Sequence, residues 1–179
     1  MTESLEAPIP FAEIKVDDSL SLRQLRPDEA NILFELVEKD REYLGKWLPW
    51  VDSTKSLEDS REFINTTMQK RLEGSEYGYG MILDGKIVGH TSIMHVTDGK
   101  DPEIGYWIAS NESGKGLTTK AATALTEFGF NQLGLPKIVL KAKPDNIPSN
   151  AVAGKLGYTL TGQEDDPIHG IVNVWSLER

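Results

Sequence analysis

Leu20, Leu22 and Leu25 stand among polar residues and the run stops at Pro27, the pattern of a half-buried strand. Asp28-Glu29 then open a stretch in which Ile32, Leu33, Leu36 and Val37 recur at helical spacing, so a helix with one apolar stripe is expected. Tyr43-Leu44-Gly45-Lys46-Trp47-Leu48-Pro49-Trp50-Val51 is aromatic but broken by Gly and Pro, and reads as a short helical turn plus loop. Ser56 and Asp59 have the form of a capping box for a helix that Gly74 ends, with Leu57, Phe63, Ile64, Met68 and Leu72 as its expected inward positions. From Glu76 to Val96 two apolar-rich runs flank Asp84-Gly85, a dipeptide that tolerates the positive φ of a tight hairpin. Glu103–Ile108 reads as a further strand.

Leu117, Ala121, Leu125 and Phe128 mark the buried face of a helix stopped by Gly134 and Pro136. Lys137–Ala142 is an expected strand, Pro148–Leu156 a short helix closed by Gly157, and Tyr158–Thr161 with Ile171–Leu177 a last antiparallel pair. The order β-α-α-β-β-β-α-β-α-β-β predicts an α/β fold with one mixed sheet and helices on both faces. No linker interrupts it, so residues 20–179 are expected to form one domain behind an arm of residues 1–19, with a short strand around Phe11–Val16.

Composition narrows the partners. Lys and Arg number 19 against 28 Asp and Glu, a net charge of −9, which argues against nucleic acid and suits an amine-bearing partner. The chain has no cysteine, so disulfides, thiolate metal sites and a Cys nucleophile are excluded. His90, His95 and His169 are widely spaced and make no metal pattern, so no metal is expected. The first residues, MTESLEAPIPFAEIKVDD, lack a basic n-region and apolar h-region, and no later run approaches the length of a membrane span; a cytoplasmic protein is expected.

The chemistry concentrates where a strand enters a turn with Gly114 and Gly116 and a helix follows at once. Backbone N–H groups and a helix N-terminus converge there, the makings of an anion site. A dinucleotide fingerprint would need a third glycine where Thr119 stands, and a P-loop would need Ser or Thr where Gly116 follows Lys115. A plain left-handed turn capping the helix is the competing reading.

Three stretches carry a resemblance: E-I-G-Y-W-I at 103–108, S-G-K-G-L-T-T-K-A at 113–121, and N-x-x-S-x-x-x-x-x-K-L-G-Y at 146–158. In this order and spacing they resemble the GNAT superfamily of acetyl-coenzyme A-dependent N-acetyltransferases over roughly residues 20–178. The aromatic segment 44–51 and strand 103–108 look like its RimJ/RimL branch, whose members acetylate N-terminal amines of ribosomal proteins. The resemblance implies a GNAT fold, with a largely antiparallel central sheet, and acetyl-CoA as donor. The coenzyme A pyrophosphate would lie on the backbone of Ser113, Gly114, Lys115, Gly116, Leu117, Thr118 and Thr119. Ile108 and Ala109 would lend main-chain groups to the pantetheine arm, and Asn146 would touch it. Ser113 stands where the family usually has Gln or Arg, and Thr118 where it has a small residue; Ala153 takes the place of a frequent tyrosine acid.

An α-amine of pKa about 7.8 is about one-seventh neutral at pH 7, and a lysine near 10.4 only about one part in 2,500, so an α-amine asks less of a base. Glu103 is the family-like base, with Glu164, Asp165 and Asp166 as a second set in the loop after the penultimate strand, and a structural carboxylate as the plain alternative for Glu103. Ser149 remains as the group that would assist the leaving thiolate, and it is also a candidate N-cap of the short helix. Trp47 and Trp50 are candidates for the acceptor pocket. The acceptor expected is a protein N-terminus; a polyamine or aminoglycoside-like amine, or coenzyme A binding without catalysis, are the alternatives. A homodimer is left open.

Overall fold

The computed structural model describes residues 13–179. Eight strands form one sheet in the order β1-β2-β3-β4-β5-β6-β8-β7. The strands are β1 (Ile14–Lys15), β2 (Leu20–Arg23), β3 (Tyr77–Leu83), β4 (Lys86–Met94), β5 (Glu103–Ile108), β6 (Lys137–Ala142), β7 (Thr159–Asp166) and β8 (Gly170–Glu178). The helices are α1 (Ala30–Lys39), α2 (Arg41–Gly45), α3 (Leu57–Glu73), α4 (Leu117–Asn131) and α5 (Ile147–Lys155). Every neighbouring pair is antiparallel except β5 and β6, which the helix α4 connects. The expected fold class is therefore the one found.

Two apolar clusters cover the two faces. Leu117, Ala121, Leu125 and Phe128 of α4 and Ala153 of α5 pack with Tyr79, Met81, Ile104, Ile138 and Leu140 on one face. Leu33 and Val37 of α1, Leu44 of α2 and Ile64 of α3 pack with Ile82, Ile87 and Trp107 on the other. Strand alternation sorts β5 between them: Glu103, Gly105 and Trp107 look to the α1–α3 side, Ile104, Tyr106 and Ile108 to the α4–α5 side.

Local signals held in several places. Ser56 and Asp59 make the reciprocal capping box, and Gly74 ends α3 at φ 72°. Asp84 and Gly85 both have positive φ, 48° and 81°, in the β3–β4 hairpin.

Other elements differ from expectation. Part of the expected N-terminal arm, residues 1–12, lies outside the described residues; Ile14–Lys15 pairs with β2 as an edge strand. Asp28 and Glu29 belong to a 3-10 turn before α1, where Glu29 takes the Arg23 guanidinium at 3.0 and 2.7 Å. Ile32, Phe63 and Leu72, expected inward, are exposed: α1 buries Ala30, Leu33 and Val37, and the buried face of α3 is Ser60, Ile64, Thr67 and Arg71. Its largest member is a cation: Arg71 donates from Nε to Gln24 Oε1 at 2.9 Å and from Nη2 to the Gly78 carbonyl at 3.3 Å, and its guanidinium stacks 4.4 Å from the Tyr79 ring. Hydropathy alone assigns such a position to the surface. β7 runs on past a bulge at Thr161 to Asp166, so Glu164–Asp166 stand on a strand rather than in a loop.

His90 on β4 is 6% exposed beneath the edge of Phe63, and burial pushes its pKa down to about 4. The unfolded chain, with an ordinary histidine near 6.5, binds more protons between these values, so stability falls as pH drops from about 6.5 to about 4, by on the order of 3 kcal/mol from this group. A His90→Asn variant, less stable at pH 7, is expected to lose that much less stability over the window; denaturant melts at pH 7 and pH 4.5 check it.

Candidate active site

β5 and β6 share one register pair, Glu103↔Val139, with the Val139 N–H donating to the Pro102 carbonyl at 2.8 Å. Beyond it no ladder bond joins them, so the sheet splits from a vertex at Glu103. On its other edge β5 stays zipped to β4 as far as Ala109, whose N–H donates to the Val88 carbonyl at 2.8 Å. Gly89 permits that contact, since a Cβ there would lie 2.2 Å from the Trp107 carbonyl oxygen. Main-chain groups alternate in direction along an antiparallel strand. Ala109 bonds to β4, so Ile108 and Tyr106 turn their N–H and C=O toward the split. Ala109, expected beside Ile108 on the cofactor arm, spends its N–H on β4 and its carbonyl on Glu112 N–H.

At the open end of the split a 3-10 turn, Ser110–Glu112, leads to Gly114 and Gly116, both at φ 77°, and then to α4. The N–H groups of residues 114 to 119 donate to no carbonyl among the described residues. A Cβ at either glycine would meet no atom within 4 Å, so the backbone faces open space. These unspent donors at the N-terminus of a 15-residue helix form an anion cradle. Side chains add little: Ser113 Oγ donates back to the Ser110 carbonyl at 2.7 Å, Lys115 pairs with Glu112 at 2.8 Å, and Leu117 is buried in the core. Thr118 and Thr119 are half-buried in the first turn of α4.

Across the split α5 brings a second group. Asn146 is its N-cap, accepting from Ser149 N–H at 3.3 Å, so Ser149 does not take the capping role that was the alternative for it. Ser149 Oγ instead lies 2.8 Å from the Tyr106 hydroxyl. Burial pushes the Tyr106 pKa up to about 12, partly offset by the Ser149 bond, so the pair is neutral and can donate. Tyr106 escaped the sequence reading; the period-two alternation that puts it on the side of Ile108 was the available signal. Asn150 also escaped it. Its amide nitrogen donates to the Lys143 and Asn146 carbonyls at 2.9 and 2.8 Å, and its oxygen accepts from Asn173 and from Trp175 Nε1, both at 2.9 Å. All four hydrogen-bonding positions of one side chain are used, two to the turn that enters α5 and two to tie α5 to β8.

Glu103 lies at the vertex on the opposite face. Burial raises its pKa, and Lys141 offsets this only in part, because the ammonium stands 2.6 Å from Glu164 but 3.7 Å from Glu103. Lys141 in turn is raised: burial works against its charge, but Glu164 and Glu103 outweigh it. Burial also pushes Asp166 up, yet the N–H groups of His169 and Ile168 and the His169 ring prevail and lower it, so it stays ionised. Asp165 is exposed. On the same side Trp50 sits over Trp107, with ring centroids 5.8 Å apart, while Trp47 is half-buried under Lys46. The structure thus gathers Ser149, Asn146 and Tyr106 on one face of the split, and Glu103, Trp50 and Trp107 on the other.

A profile of the Acetyltransferase (GNAT) domain matches residues 19–159. The chain belongs to the GNAT acetyltransferase family. It is 31% identical over 159 residues to "Putative ribosomal N-acetyltransferase YdaF" of Bacillus subtilis (strain 168), covering 87% of this chain and 86% of that one. It is 28% identical to the ribosomal-protein-serine acetyltransferase of Escherichia coli (strain K12), covering 83% and 84%. Among solved structures, the microcin C7 self-immunity acetyltransferase MccE, in complex with acetyl-CoA and AMP, superposes with a TM-score of 0.86 at 26% identity over 97% of this chain and 99% of that one. RimL, the ribosomal L7/L12 α-N-protein acetyltransferase, solved with coenzyme A, gives 0.87 at 24% identity over 93% and 98%, a likeness of fold. This GNAT protein is an N-acetyltransferase that draws its acetyl group from acetyl-CoA. The cradle and the unpaired edge of β5 fit that donor, one offering N–H groups to a pyrophosphate, the other main-chain partners to an amide-bearing arm.

Removing the Ser149 hydroxyl separates chemistry from capping. Ser149→Ala is expected to lower kcat roughly 5- to 150-fold, the worth of one donor to a developing thiolate, with a small change in melting temperature. Asn146→Ala is expected to cost about 1 kcal/mol of stability as a lost cap. Thermal melts and turnover on the same preparations check both.

Proposed function

We propose that this GNAT enzyme acetylates the N-terminal α-amino group of a protein in the cytoplasm, a ribosomal protein in particular. The observation that carries the reading is the position of Glu103: a half-buried carboxylate at the vertex of the split, on the opposite face from the Tyr106–Ser149 hydroxyls. An amine arriving on the α1–α3 face meets Glu103 and the Trp50–Trp107 wall, and a departing thiolate meets the hydroxyl pair. The names of the Bacillus and Escherichia relatives support a ribosomal acceptor. Residues 114–119, Ile108 and Asn146 would hold the donor, which supplies an activated thioester carbonyl when bound. Glu103, directly or through water, takes the proton that the attacking amine sheds.

The likeness to MccE favours a second reading, a small-molecule amine acceptor. Thiol release with acetyl-CoA and a panel of acceptors decides between them. Peptides with free N-termini are expected to turn over, and the same peptides with blocked N-termini and free lysines to fail; turnover confined to polyamines or aminoglycosides selects the second reading, and no thiol release with any acceptor leaves coenzyme A binding alone.

Glu103 must be ionised to accept a proton. Its raised pKa therefore predicts that kcat/KM falls on acidification at a pH above the ordinary glutamate range. Glu103→Gln is expected to lose that limb, to lower kcat/KM at pH 7 about tenfold or more, and to recover at higher pH as more of the amine becomes neutral. A pH profile from 5 to 9 checks it.

A further inference from the structure

Asp40 and Arg41 form the corner between α1 and α2, and their side chains reach in different directions. The Asp40 carboxylate takes both hydrogen-bonding groups of Ser110: Oδ2 accepts from the backbone N–H at 2.6 Å and Oδ1 from the hydroxyl at 2.6 Å. Ser110 is 70 positions away and opens the 3-10 turn before the anion cradle. The chain of bonds continues, since the Ser110 carbonyl accepts from Ser113 Oγ and the next residue is Gly114. Arg41 donates from Nη1 to the Val51 carbonyl at 2.7 Å and from Nη2 to the Thr54 carbonyl at 2.6 Å, bracketing the 3-10 turn Pro49–Ser53 that carries Trp50.

Helix stability does not call for this carboxylate. Asp40 is the C-cap of α1, where the helix dipole disfavours an anion, and although it is also the N-cap of the five-residue α2, its side chain accepts no capping bond there. The corner also borders a surface cavity of about 460 Å³ lined by Lys39, Asp40, Glu42, Tyr43 and Lys46, so packing does not fix it on that side. Two short charge-assisted bonds to Ser110 set the separation instead.

We propose that Asp40 and Arg41 are positioning residues that tie the cofactor cradle to the acceptor wall, so that each site is held in register with the other through one dipeptide. The acceptor half rests on the reading of Trp50 given above; the cradle half does not. With Asp40 in place, the turn before Gly114 is fixed before coenzyme A arrives, and binding need not order it. Because Arg41 holds the same corner, loosening the Trp50 turn is felt at the cradle.

Calorimetric titration with coenzyme A alone tests the tie whatever the acceptor is. Asp40→Ala is expected to raise the dissociation constant at least fivefold, and Asp40→Asn to stay within threefold of the parent, since an amide can accept from the Ser110 N–H and donate to its hydroxyl. Arg41→Ala, which touches no cradle residue, is expected to raise it at least threefold. Each protein is melted alongside to read stability separately from affinity. Unchanged affinity in Arg41→Ala overturns the tie, and unchanged affinity in Asp40→Ala overturns the positioning role as well. If Asp40→Ala does not fold, Ser110→Ala, which removes one of the two bonds, is held to a twofold rise, with no rise overturning the proposal. Since no acceptor enters, a failed acceptor panel and a failed tie are read independently.

Discussion

At the Glu103–Val139 pair two parallel strands stop sharing hydrogen bonds, and a sheet that ceases to pair in its middle leaves main-chain donors and acceptors without partners. The fold accepts this only because β5 stays bonded to β4 on its other edge, at a contact that Gly89 alone allows. From that one break the rest follows. The unpaired edge of β5 leaves the main-chain groups of Ile108 free, and the crossover helix α4 begins beside the opening with its first N–H groups unspent, the arrangement on which the proposed phosphate site rests. A donor held by backbone already exposed, as proposed, would need little from side chains, so Ser113 and Thr118 could depart from the usual pattern while the cradle persists.

The two-residue period of a strand then divides the chemistry. Tyr106 and Glu103 are three apart on β5 and so look to opposite faces. Each face is furnished from far along the chain: Ser149 arrives on α5, whose seat on β8 depends on Asn150, and Lys141 and Glu164 arrive on β6 and β7. In the proposed reaction a centre between them would receive its base from one side and its thiolate partner from the other, without either group crossing the sheet.

Much of this was legible in the sequence because it is local. The Asp84-Gly85 hairpin, the Ser56–Asp59 capping box and the Gly114–Gly116 turn each depend on residues within four positions, and each formed as read. What stayed hidden depends on distant partners. Arg71 is buried because Gln24 and the Tyr79 ring receive it, and Asp40 matters because Ser110 lies beside it. Ser149 and Asn146 compete for one cap within a single turn, and only the geometry shows that Asn146 takes it, which releases the serine for Tyr106.

Arg71 has a consequence beyond filling the underside of α3. β2 pairs with β3 only at residues 80–83, so among the described residues the start of β3 has no strand on that flank, and the Gly78 carbonyl there is taken by the guanidinium instead. A bare strand flank is a template on which another chain can add a strand of its own. A helix-borne cation resting on two tyrosine rings occupies that flank, so the residue that hydropathy would have put in solvent also guards the sheet against aggregation.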